Sequence, residues 1–386
     1  MADPYWYWRQ LKNSWAIDEN TTNRFDLPEQ GALSGLFVAI NTTNEADLSS
    51  YDDPFPMQRI TKLRIVGNGN YPIIDLMGKM VHAMNFWDRG EMTHDTFSFV
   101  DTETQNAYLY IPFGRYMGDL DYGLWLEKFA SGIQWEETNN ISTTYYVDGD
   151  TNMSIYALMR KNPEDNLFSK GFLQKRQIVK KDAASETQYA VKLPTENKLR
   201  QIHLFSEPTY SSGVLSTTCF TLTQKLFLSI KSKAEYLLDN VSSTDWARFI
   251  HDYVGRRARS SIRFRNASAG SYYDTMIDER LQGSIQLLQA AAIMPATVTA
   301  TDQTRFMRMY EYDADGNATA NHWWRATAEG ILLHGDIPLL MQKPTDPEET
   351  WLDAKANKDV YVEITEGSSS GNWYLVLDEL QQSYPS

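Results

Sequence analysis

One cysteine, Cys219, stands in a chain of 386 residues. That excludes a disulfide framework within the chain and any cysteine-rich metal centre. Its flanks, TTCFTL, have strand character, so Cys219 reads as a small buried residue. Positive charge is short as well: 36 Lys and Arg against 50 Asp and Glu leave a formal net charge of −14. Such a balance argues against a surface that tracks nucleic acid and against sequence-specific recognition of it, while leaving room for a local basic face. No stretch approaches the ~20 apolar residues of a membrane-spanning helix. The N-terminal MADPYWYWRQLKN lacks the basic start and apolar run of a secretory signal, so we expect synthesis and folding in a cytoplasm.

Chemistry-bearing motifs are missing too. The histidines (His82, His94, His203, His251, His322, His334) show no HExxH or HxH spacing, and no GxSxG, Walker A or GxGxxG is present. Asp313-Ala314-Asp315-Gly316-Asn317 begins like a calcium loop, but Trp324 stands where such a loop needs its bidentate Glu. We expect no catalytic residue, no cofactor and no metal. The two carboxylates of a glycosidase need not be neighbours in sequence. A β-sandwich that binds or cleaves glycans is therefore the alternative reading.

Aromatic residues are plentiful: 13% of the chain, with 11 Trp and 22 Tyr. That surplus suits sheets and large contact surfaces. At 42% apolar and 22% charged the composition is globular, and the length suits two or three domains. Strand signals dominate. Examples are Leu33 to Ile40, ITKLRIV before the Gly67-Asn68-Gly69-Asn70 turn, Ala107 to Pro112, Ile133 to Glu136, Thr143 to Val147 and Ser216 to Leu222. Helices are few. One runs from about Ile74 to Trp87 and stops at Gly90. Thr244 caps a second, in which Trp246, Phe249, Ile250, Tyr253 and Val254 line one face. A third is expected around Leu281 to Met294, ending at Pro295.

A phrase appears twice. FDLPEQGALSGLFVA begins at Phe25 and VKLPTENKLRQIHLF at Val191; Pro194 follows Pro28 by 166 residues, and Leu199 follows Leu33 by the same interval. Pro suits the start of a strand, because it cannot donate to a ladder. So long a period excludes a solenoid or propeller repeat and fits two whole domains in tandem. Between them the polar, basic SKGFLQKRQIVKKDAAS, residues 169–185, reads as a linker. The expected organisation is an N-terminal arm over 1–20, a first sandwich over 21–168, the linker, and a second sandwich with helical insertions over 186–386.

These phrases resemble the double jelly-roll major capsid proteins of the tectivirus–adenovirus lineage of tailless icosahedral viruses. The Leu-Pro openings at Leu27-Pro28 and Leu193-Pro194 carry the resemblance. So do ITKLRIVGNGNYPIIDLMGKMVHAMNF from Ile60, YIPFGRYMGDLDYGLWLEKFASGIQWE from Tyr110, and the closing NWYLVLDELQQ from Asn372. The resemblance implies an all-β fold with a few short helices, built as two tandem eight-stranded jelly rolls. It also implies a homotrimer of pseudo-hexagonal outline that tiles an icosahedral shell in the virion. Implied partners are neighbouring capsomers, penton and minor capsid proteins, and an internal viral membrane; a penton-type or minor role is a further variant.

Two clusters are candidate contacts. Tyr5, Trp6, Tyr7, Trp8 and Arg9 are suited to an arm that touches a membrane interface or a neighbouring capsomer, or that packs on the base of its own sandwich. Arg256, Arg257, Arg259, Arg263 and Arg265 are suited to lipid phosphate, genome or an acidic neighbour, or to a solvated helix C-terminus.

Overall fold

The computed structural model describes residues 3–46, 55–183, 187–209, 218–255, 257–265, 271–287, 296–299, 306–311 and 323–385. Its first half contains eight long strands: β1 (Tyr5–Ala16), β2 (Thr22–Asp26), β3 (Ala32–Thr43), β4 (Ile60–Gly67), β5 (Tyr71–Leu76), β6 (Thr104–Pro112), β7 (Ile133–Asn139) and β8 (Asn152–Lys161). They form two antiparallel sheets in the orders β1-β8-β3-β6 and β2-β7-β4-β5. This is the strand order of a jelly roll, two Greek keys folded face to face. Period-two burial sets the faces: in β7, Ile133, Trp135 and Glu137 point inward while Gln134, Glu136 and Thr138 point outward. The β4–β5 hairpin turns where expected, with Asn68 and Gly69 at φ 50° and 76°.

The second half repeats the design. Its strands are β9 (Phe172–Asp182), β10 (Gln188–Lys192), β11 (Lys198–Pro208), β12 (Thr223–Ile230), β13 (Glu235–Ser242), β14 (Asp336–Met341), β15 (Tyr361–Glu366) and β16 (Gly371–Gln381). The sheet orders are β9-β16-β11-β14 and β10-β15-β12-β13. Each strand of roll 1 has its counterpart eight strands later. Helix α1 (Gly78–Arg89) follows β5, and α2 (Ser243–Val254) follows β13; each has 12 residues. Both end on a glycine in the left-handed region, Gly90 and Gly255, whose N–H donates back into the last turn. The Leu-Pro phrases stand at one equivalent point: Leu27 and Leu193 each donate a backbone hydrogen bond at the β2–β3 and β10–β11 corners, to Ile133 and Val360.

Two segments differ from the expected organisation. The expected linker over 169–185 is not solvated coil in its described part, 169–183: β9 runs through it, paired along its length with β16. Its lysines misled the reading because Lys175 is buried and neutralised by Asp88, a partner distant in sequence. The 1–20 arm is likewise built into a sheet, since β1 pairs with β8 from Tyr5 to Ala16. The arm and the linker are the same element, the first strand of each roll.

Smaller corrections have local causes. The expected strand Thr143 to Val147 is a turn that carries an isolated bridge between Tyr146 and Asn44, and Cys219 lies buried in a short helix, Cys219–Leu222, that Thr218 caps. The second helix is capped by Ser242, two residues before the expected Thr244. Ile277–Leu287 is a strand, because it pairs with Trp323–Leu333; residues 288–294 of the expected third helix lie outside the described residues. With Ala258–Arg265 and roll 1's Phe97–Ser98 these strands form an extra sheet inserted between α2 and β14.

One inward residue of β7 is out of keeping with its core. Burial pushes Glu137 up to about 7, although the Asn23 and Asn139 amides act in the opposite direction. A carboxyl raised in the fold favours the folded state while protonated, and that contribution is lost as pH rises from about 4.5 towards about 7. Glu137→Gln should therefore leave stability unchanged at pH 4 and raise it at pH 8 by on the order of 2 kcal/mol. Urea unfolding at both pH values checks this; an equal effect at both contradicts it.

Candidate assembly surfaces

The two rolls meet along a built joint. β9 of roll 2 lies parallel to β5 of roll 1, Lys175 beside Ile74 and Arg176 beside Asp75, so one sheet runs through both rolls. Helix α1 covers the outer face of β11 and its neighbours. Ten of its 12 residues are buried, and both faces of β11 and β16 are buried in turn.

Charge organises the centre of the joint. Asp88 on α1 accepts from Arg200 Nη2 at 2.9 and 3.0 Å, from Gln201 Nε2 at 3.0 Å and from Lys175 Nζ at 3.4 Å. Arg200 Nε also donates to Asp378 at 2.8 Å. Burial would raise the Asp88 carboxyl, but Arg200 and Lys175, with the Gln201 amide, outweigh it and hold it below its usual range. Nearby, His82 Nδ1 lies 3.0 Å from His334 Nε2, and His82 Nε2 lies 3.0 Å from Asp95. Asp336, bonded to His203 at 2.9 Å, is raised by its burial despite that partner. No group of three or more His, Cys, Asp or Glu able to hold a metal occurs among the described residues. Residues 312–320, which include most of the calcium-like stretch, lie outside them.

The C-terminal segment also bridges the two rolls. Tyr384 returns to roll 1, where its hydroxyl donates to Gly123 O at 3.0 Å and accepts from Trp125 N at 3.1 Å. Its ring packs on Phe129 and Phe172.

The N-terminal aromatic cluster is held on β1. Trp6 packs against Phe168 with the Arg160 guanidinium over its ring, and Tyr7 reaches Met159. Tyr5 and Trp8 are 54% and 52% exposed, and Arg9 is exposed. Trp8 touches the edge of a half-buried aromatic patch on the outer face of roll 1, where Phe37 lies 4.9–6.0 Å from Tyr108, Tyr110 and Tyr156. The sequence held a signal for this patch: Tyr108 and Tyr110 alternate with the buried Ala107, Leu109 and Ile111.

Helix α2 is a second unanticipated surface. On the aromatic stripe expected along one face, Phe249 and Tyr253 are 54% and 60% exposed. Phe249 stacks on both Tyr253 and Trp246, and the Trp246 indole N–H donates to Pro338 O at 2.8 Å.

From Ala258 onward the arginine cluster is a strand, not a helix C-terminus. α2 ends at Val254, and in Ala258–Arg265 the buried Ala258, Ser260, Ile262 and Phe264 alternate with exposed Arg259, Ser261 and Arg263. Arg257 pairs with Glu329 at 3.2 Å and Arg263 with Glu103 at 3.6 Å. Arg256 and the Arg265 side chain lie outside the described residues. No helix among the described residues is long and apolar enough to cross a membrane.

No protein-family model matches the sequence, and no curated protein matches it. Solved structures do match by fold. A chain in the atomic structure of Sulfolobus Turreted Icosahedral Virus superposes with a TM-score of 0.60 at 9% identity, over 98% of this chain and 91% of that one. The major capsid protein P2 from bacteriophage PM2 superposes with a TM-score of 0.50 at 8% identity, covering 99% of both chains. At such identities the likeness speaks for architecture, and it agrees with the strand orders above: the chain has the double jelly-roll fold.

Proposed function

We propose that this chain is a major capsid protein, three copies of which form a pseudo-hexameric capsomer that tiles an icosahedral virus shell. The observation that carries this reading is the element-by-element equivalence of two rolls locked by a shared sheet and a buried charge network. Two equivalent lobes per chain let three chains occupy a six-fold position, and a cyclic trimer needs unlike surfaces at the two ends of each subunit. The exposed aromatics of α2 and β1 suit permanent interfaces, and the net charge of −14 favours soluble particles. The similarity to P2 of bacteriophage PM2 supports the same assignment.

In this reading the chain resides in the virion after synthesis in the host cytoplasm. Neighbouring capsomers, penton and minor capsid proteins and an internal membrane are its partners, and it performs no catalysis. The similar structures lend no support to the glycan-binding alternative. Purified protein should have the mass of a trimer by light scattering and bind nothing in a polysaccharide-binding screen. A monomer that binds or cleaves glycans contradicts the proposal.

A further inference from the structure

Inside the chain, roll 1 presents β5 and α1, and roll 2 receives them on β9 and the outer face of its β9-β16-β11-β14 sheet. Every part of that joint has an equivalent that no strand or helix among the described residues covers in the same way. β13 and α2 are the counterparts of β5 and α1; among the described residues β13 pairs only with β12, and it exposes Tyr236 and Leu237 at 45% and 48%. β1 is the counterpart of β9, and among the described residues it pairs only with β8. Phe37 is the counterpart of His203, which is buried in the joint.

From these equivalences we infer that a second copy of this chain docks here: β13 and α2 of one copy seat on β1 and the Phe37 face of the next, repeating the intrachain joint between chains. The inference rests on the capsid reading and specifies its contact surface.

Register assigns the contacts. Trp8 pairs with Leu158, which pairs with Gly35; Lys175 pairs with Asp378, which pairs with Gln201. Since Gln201 is the counterpart of Gly35, Trp8 holds in roll 1 the place of Lys175 in roll 2. Asp88 and Tyr253 are each the eleventh residue of their helices. The buried Lys175–Asp88 ion pair of the joint thus becomes, between copies, a contact of Trp8 with Tyr253, both more than half exposed in the single chain. Phe249 takes the place of Met84, which is 1% exposed.

The strand edges agree. Ile74 and Leu238 lie opposite Ile65 and Leu228, equivalent residues of β4 and β12. The parallel pairing of β5 with β9 therefore places Arg9 of one copy beside Asp239 of the next, and both residues are exposed in the single chain. Opposite charges at this position favour the same register. Because the two surfaces differ, the contact is heterologous and closes only as a ring.

The test uses the full chain as wild type, as Tyr253→Glu, as Trp8→Glu, and as a Trp8→Cys/Tyr253→Cys double variant with its two single-cysteine controls. Native mass spectrometry across a dilution series should show a wild-type trimer. The two glutamate variants should each raise the concentration of half-dissociation by on the order of 100-fold, the size of a central aromatic contact. A short bis-maleimide should link the double variant into covalent trimers on a denaturing gel and leave the single variants unlinked; the native Cys219 is buried away from this surface. If a glutamate variant fails to fold, the cysteine pair still decides. A wild-type trimer that both glutamates leave intact and the cysteine pair does not link overturns the inferred surface but not the capsid reading. A wild-type chain that stays monomeric overturns both.

Discussion

Asp88→Ala should destabilise the protein by about 3–5 kcal/mol at pH 7, because removing one member of a buried ion pair strands the others. In this variant Arg200 and Lys175, both almost wholly buried, lose the carboxylate they share, while Asp378 remains to Arg200 alone. The effect has a pH signature. The Asp88 carboxyl is held below its ordinary value in the fold. Its contribution is therefore present above the ordinary carboxylate range and lost as pH falls through the lowered value. The gap between wild type and Asp88→Ala, followed by urea unfolding, should be full at pH 7 and shrink in strong acid. Asp88→Asn, which keeps the shape and one acceptor, should fall between the two. A loss below 1 kcal/mol for the alanine variant would mean that the network is not what locks the rolls.

Tyr384→Ala should cost about 2–4 kcal/mol, the range for removing a packed ring together with its hydrogen bonds. The Tyr384 hydroxyl bridges Gly123 and Trp125, and the ring closes over Phe129 and the fully buried Phe172. Tyr384→Phe keeps the packing and loses the bridge, so it should cost about 1 kcal/mol. Thermal denaturation of the two variants separates ring from hydroxyl. Faster proteolysis near residues 120–130 in the alanine variant would mark the opened corner. An alanine variant as stable as wild type would show that the tail only rests on roll 1.

Much of the fold could be read from local chemistry. The Leu-Pro corners lie at equivalent points, the Gly67-Asn68-Gly69 turn closes a hairpin, and the first helix ends at Gly90 as expected. What escaped was decided by partners remote in sequence. β9 has the composition of a linker, yet its Lys175 and Arg176 are matched by Asp88 and Glu379, which no local pattern reveals. Leu281 and Ile285 are spaced as on a helix, yet strand pairing with Trp323–Leu333 takes precedence over that spacing. Of the readings open to Arg256 to Arg265, the helix C-terminus is excluded for the described part by the small residues between the arginines, Ala258 and Ser260, which are buried strand positions.

Equivalence explains the aromatic surplus in the same terms. Trp8, Phe37, Phe249 and Tyr253 occupy places whose counterparts Lys175, His203, Met84 and Asp88 are buried inside the chain. The joint within the chain is polar at its centre and sealed. Its proposed counterpart between chains is aromatic, which suits a surface that must first exist in water and then be covered.

The most direct test of the central claim, that two equivalent rolls let three chains fill a six-fold site, is negative-stain microscopy of the purified protein. The account predicts compact ring-shaped particles of three chains, each 44.3 kDa, whose averaged views show six lobes around a three-fold axis. Particles with two lobes and the mass of one chain, at every concentration tried, would contradict it.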